Sequence, residues 1–149
     1  MNVLIISDDP KGQLFGQISG LRDTVRGLKS NVDLLVFSET YVLLNGKILR
    51  GTGSRVHFLE DILHRKSFDL VAVSLELDHL KDLFLRKPNI LDFLKKHSPQ
   101  ARVYFFGASS VLGQIEKNSS IQLFLYPRRG VSKLTKEFKN DIVDFVKRK

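Results

Sequence analysis

The chain has no cysteine. That excludes a disulfide framework, thiolate metal sites and thiol catalysis, and it fits a reducing compartment. No apolar run approaches the roughly 20 residues that a membrane-spanning helix needs. The opening Met1-Asn2-Val3-Leu4-Ile5-Ile6 runs straight into Ser7-Asp8-Asp9, without the basic start and long apolar middle of a secretory signal. The expectation is a cytoplasmic protein without a membrane span. Internal repeats, low-complexity tracts and linker-like stretches are also missing, so residues 1–149 read as a single domain. So are a Walker lysine pattern, a complete dinucleotide fingerprint and a serine in a nucleophile elbow.

What is present is an ordinary globular composition. The 149 residues are 42% hydrophobic and 27% charged, enough for one sizeable core. The formal charge is +8, and the pI is about 9.8. Part of the excess is local: from Arg128 to Lys149, eight basic residues face three acidic ones, a net of +5. A basic surface attracts nucleic acid, anionic lipid or an acidic protein. A charge run by itself also describes a solvated terminal helix with a basic end.

The most informative stretch is Phe68-Asp69-Leu70-Val71-Ala72-Val73-Ser74-Leu75-Glu76. A nearly continuous apolar run that turns polar at its end predicts a strand buried on both faces, with its carboxyl end open to solvent. Similar runs predict strands at 2–7, 32–37, 102–107 and 121–126. Helical spacing of apolar residues predicts helices over 14–28, around Val56, Leu59, Ile62 and Leu63, over 90–96, and from about 132 to 148, with a short one at 109–117. Tyr41 to Arg50 reads as a β-hairpin, because Asn45-Gly46 is the favoured two-residue type I′ turn. Strand and helix alternate five times, with the hairpin inserted after the second strand. This pattern predicts a parallel sheet with helices on both faces.

The arrangement resembles the response-regulator receiver domain of two-component phosphorelay signalling. The likeness rests on Val3-Leu4-Ile5-Ile6-Ser7-Asp8-Asp9-Pro10, on Phe68-Asp69-Leu70-Val71-Ala72-Val73-Ser74 and on Leu125-Tyr126-Pro127. It implies a flavodoxin-like, doubly wound α/β fold: a five-stranded parallel sheet of order 2-1-3-4-5, with an inserted β-hairpin after the second strand. In that family an acidic pair ending the first strand holds magnesium. Here the pair falls on Ser7 and Asp8, with Asp9 next. The phosphoacceptor aspartate falls on Ser74, the threonine or serine of the fourth strand on Gly107, and the lysine before proline on Tyr126. Only Asp8 keeps the family's chemistry. Aspartyl phosphoryl transfer needs a carboxylate nucleophile, a divalent metal and a cation facing the transferred oxygens. Ser74 is uncharged, and Tyr126 brings no positive charge. The resemblance therefore implies a pseudo-receiver, with the sheet retained and the switch chemistry lost.

Other groups of residues have two readings each. Asp8 and Asp9 could hold Mg²⁺ weakly, or they could serve the first turn of a helix. Gly51-Thr52-Gly53-Ser54 could cradle a phosphate, or form a return loop with Ser54 as N-cap. His57, Asp61 and His64 share one helix side and could bind Zn²⁺, or simply be solvated. Leu43, Leu44 and Ile48 make the hairpin more apolar than a loop needs, so it either extends the sheet or offers a contact to a partner.

The function expected is a non-enzymatic signalling or scaffolding module, without cofactor. It would act through Arg128, Arg129, Lys133, Lys136 and Lys139 on another protein, an acidic one, or through self-association as a homodimer. The alternatives are a nucleotide- or metal-binding enzyme at the carboxyl edge of the sheet, using Asp8, Asp9, Ser74 and Ser109, and polyanion binding through the last helix. No nucleic-acid recognition motif supports the last of these.

Overall fold

A computed structural model of the chain describes residues 1–7, 31–37, 41–49, 55–75, 90–107, 122–127 and 136–148. The strands are β1 (Asn2–Ser7), β2 (Asn31–Phe37), β3 (Val42–Leu44), β4 (Lys47–Leu49), β5 (Leu70–Leu75), β6 (Arg102–Gly107) and β7 (Gln122–Pro127). The described helices are α1 (Arg55–Arg65), α2 (Ile90–His97) and α3 (Lys136–Arg148). The segments expected to be helical at 14–28 and 109–117, and the Gly51–Ser54 loop, lie outside the described residues.

The strands form one seven-stranded sheet in the order β4-β3-β2-β1-β5-β6-β7. Neighbours from β2 to β7 run parallel, whereas β2 with β3 and β3 with β4 run antiparallel. This corrects the expected five-stranded parallel, doubly wound, flavodoxin-like sheet: the sheet is mixed, and three helices accompany its seven strands among the described residues. The cause is the hairpin. An open edge on β2 would leave a row of backbone N–H and C=O groups unpaired, and β3 satisfies that row in the register Leu35–Leu44, Val36–Leu43 and Phe37–Val42.

Asn45 locks this register. It sits at φ 53° with Gly46 at φ 83°, the left-handed pair that a type I′ turn requires. Its N–H donates to the Leu34 carbonyl at 2.8 Å. Its side-chain oxygen accepts the Leu34 N–H at 2.8 Å, so the ladder runs one step beyond Leu44. Its side-chain amide donates to Asp33 Oδ1 at 2.9 Å. The other Asp33 oxygen pairs with Lys66, just after α1. Leu44 and Leu49 pack on one core and Leu43 on the other, so the hairpin extends the sheet. Ile48 alone stays out, at 58% exposure.

The sheet has a core on each face because alternate residues of a strand point opposite ways. One side holds Leu4, Ile6, Leu35, Phe37, Val71, Val73, Val103 and Phe105 under Leu59, Ile62 and Leu63 of α1 and Ile90, Leu91, Phe93 and Leu94 of α2. The other holds Val3, Ile5, Leu34, Val36, Ala72 and Tyr104, with Phe124 and Phe145 of α3 against them. Full burial of each such side chain contributes about 1.5–3 kcal/mol, more than intrinsic propensity gives a helix as short as α2. The amino ends of the central strands are laced by Asp69. Its carboxylate accepts the Asn2 N–H at 2.8 Å, and its carbonyl accepts the Arg102 N–H at 3.0 Å. The buried Ser98 hydroxyl, just past α2, accepts the Phe68 N–H at 2.9 Å.

Asn45→Ala removes the acceptor of the part-buried Leu34 N–H and should cost about 1–3 kcal/mol of folding stability. Asn45→Gly keeps the positive φ without the side-chain bonds, and should recover only the conformational part. Urea denaturation of both variants measures the split.

Candidate functional site

The carboxyl ends of the parallel strands hold most positions singled out by the receiver resemblance. Pairing sets Ser7 beside Val36 on one side and Ser74 on the other. Ser74 pairs with Phe106, and Phe106 with Tyr126. One row thus reads Val36, Ser7, Ser74, Phe106, Tyr126 across five strands. Gly107 stands one residue further along, between Leu75 and Pro127. Ser7 is buried. Asp8 and Asp9 follow it, outside the described residues.

The row is chemically mild. A serine hydroxyl donates one hydrogen bond and accepts others, and a phenol does much the same. Neither brings the fixed charge that stabilises a transferring phosphoryl group. Among the described residues, no group of three or more His, Cys, Asp or Glu side chains could hold a metal ion.

The second candidate, the basic C-terminal region, is described only in α3. Arg128, Arg129 and Lys133 lie outside the described residues. Lys136 and Lys139 are part of the helix, whose described exposed side chains are Asn140, Asp144, Lys147 and Arg148. The helix is held by aromatic residues and one cation. The Arg102 guanidinium lies 5.0 Å from the Phe124 ring centre and 4.4 Å from that of Phe145, within cation–π range of both. It also donates to the Tyr104 hydroxyl at 3.3 Å. Tyr104 stacks on Phe124 with centroids 5.2 Å apart. Arg102 is thus occupied in joining β6, β7 and α3.

Burial is the main influence on the Tyr104 phenol and pushes its pKa up. The Arg102 hydrogen bond and positive charge pull it down, and the Asp141 carboxylate of α3 pushes it up again. The net direction is upward.

One pair of residues was not found by sequence reasoning. His64, in the last turn of α1, lies with its ring centre 5.2 Å from that of His97, the last residue of α2. The Nε2 atom of His97 is buried and, among the described residues, has no hydrogen-bond partner. His64 entered the sequence reading with His57 and Asp61, and no local pattern links it to a residue 33 positions away.

The raised Tyr104 pKa has a direction in pH. The folded state holds this proton more tightly than the unfolded chain, so the contribution is complete below the ordinary tyrosine value of about 10. It is lost as pH rises through the folded value. Tyr104→Phe should lose less stability than the parent chain between pH 9 and pH 11, measured by urea denaturation.

Compared with known proteins, the chain matches no family model, no curated protein and no solved structure.

Proposed function

We propose that this chain is a non-catalytic interaction module, a pseudo-receiver in its chemistry, that engages an acidic protein through the basic region from Arg128 to Lys149. The observation that carries the reading is the row at the strand ends. Register brings Ser7, Ser74 and Tyr126 into line with Val36 and Phe106 between them. Where aspartyl phosphorelay needs carboxylates and a cation, this row offers two hydroxyls and a phenol. The open charge lies elsewhere. Lys147 and Arg148 are exposed on α3, while Arg102 is engaged with the aromatic rings of Phe124 and Phe145. A surface of this kind speeds encounter with an acidic partner and makes binding sensitive to salt.

Two measurements test the proposal. Beryllofluoride with Mg²⁺, followed by backbone amide shifts, should leave Ser7, Ser74, Gly107 and Tyr126 unmoved. Shifts clustered there would overturn the loss of phosphorelay chemistry. A thermal shift with a nucleotide or with Mg²⁺ would favour an enzyme at the same edge. Charge reversal at Lys133, Lys136 and Lys139 together should lower capture of the acidic partner at least tenfold. Unchanged capture would remove this region as the contact face. Equal retention of duplex DNA, falling steeply with salt, would point to a polyanion binder instead.

A further inference from the structure

We propose that His64 and His97 form a two-imidazole site for a transition-metal dication of the zinc class, clipping together the carboxyl-terminal ends of α1 and α2. It is a different site from His57, Asp61 and His64 on α1 alone, and it lies away from the strand ends discussed above. The first observation is the orphaned nitrogen. His97 Nε2 is closed to solvent and, among the described residues, has no hydrogen-bond partner. Buried polar atoms are nearly always paired, and one that is not marks a place for an ion, a water or a ligand.

The second observation is distance. A tetrahedral centre bound to two imidazoles through bonds of about 2.0–2.1 Å sets their ring centres about 5 Å apart. The two rings here are 5.2 Å apart, with planes inclined by 30°. The His64 side chain is exposed, so its ring nitrogens can be turned by rotation about its own bonds. Leu59, Ile62 and Leu63 of α1 and Ile90, Leu91, Phe93 and Leu94 of α2 share one core. The residue after His97 is pinned as well. Ser98 N–H donates to the Leu94 carbonyl at 2.7 Å, and its hydroxyl accepts the Phe68 N–H.

The ligand atoms set the class of ion, within a mixed field of surrounding charges. Both histidines sit at helix carboxyl ends, where unpaired carbonyls favour positive charge. Arg65, Lys95 and Lys96 are exposed nearby and oppose it. Lys66 is turned to Asp33 and lies 5.5 Å from the centre of the Phe68 ring. Asp61, exposed one turn before His64, adds one negative charge. Neutral nitrogen ligands select zinc, copper or nickel over calcium or magnesium, which want oxygen. Two protein ligands leave positions open for water or for a donor from another molecule.

The test is a zinc chloride titration of the full chain, followed by the imidazole NMR signals of its four histidines. His64 and His97 should shift together, saturate at one equivalent and return with EDTA, while His57 and His79 stay in place. H64Q and H97Q should each weaken zinc binding at least tenfold and abolish the zinc-dependent rise in melting temperature. H97Q alters a partly buried position, so the exposed H64Q carries the test if H97Q fails to fold. Paired shifts of His57 and His64 with His97 unmoved would overturn the proposal. So would an absence of shifts at millimolar zinc, or parental affinity in H64Q.

Discussion

The backbone of β1 is shut away from water. Val3 to Ser7 are buried on both faces of the sheet, so their N–H and C=O groups must be satisfied by neighbouring strands. β2 supplies one side and β5 the other. That obligation sets the register of the three strands, and the register sets what stands beside what at either end. At the amino end, Asp69 ties Asn2 and Arg102 together. At the carboxyl end, Ser7 meets Ser74. The pair of hydroxyl residues at that edge follows from strand pairing, which aligns Ser7 with Ser74.

The same obligation continues outward and changes the architecture. β2 would be an edge, and the chain covers it with its own next segment. Asn45 is central here because it combines two roles. Its backbone adopts the left-handed turn, and its side chain completes the ladder at Leu34 while holding Asp33. Asp33 in turn pairs with Lys66, so the hairpin turn, β2 and the chain leaving α1 are coupled through one carboxylate. β4 becomes the outer strand on this side of the sheet. It is three residues long and carries an exposed lysine beside Ile48, features that discourage unwanted strand pairing.

The other face depends on a cation. Arg102 begins β6, and its guanidinium reaches the rings of Phe124 and Phe145 and the hydroxyl of Tyr104. Four side chains from three elements meet there, which is how α3 is seated. Its amphipathic pattern is plain in the sequence, but the partner of Phe145 is not. Arg102 reads as one more charge in a basic chain, whereas in the fold it serves packing. Net charge therefore overstates what the surface offers.

Local patterns were legible because their causes are local. Apolar runs marked β1, β2, β5, β6 and β7, Asn45-Gly46 marked its turn, and the spacing of Leu59, Ile62 and Leu63 marked the buried side of α1. What stayed hidden joins residues distant in the chain. The hairpin's antiparallel pairing with β2 corrected a parallel, doubly wound expectation, because a turn signal says that two strands reverse but not which edge they cover. The approach of His64 to His97 and of Arg102 to Phe145 likewise comes from packing on a shared sheet. The sequence by itself determined which segments are strand, turn and helix among these elements, and that a serine, Ser74, stands near the carboxyl end of β5. Only the tertiary structure decided that Ser74 lies beside Ser7, that the hairpin is part of the sheet, and that two histidines meet. Strand register and helix seating are settled by satisfying buried backbone and filling a common core, and neither condition can be read from one segment alone.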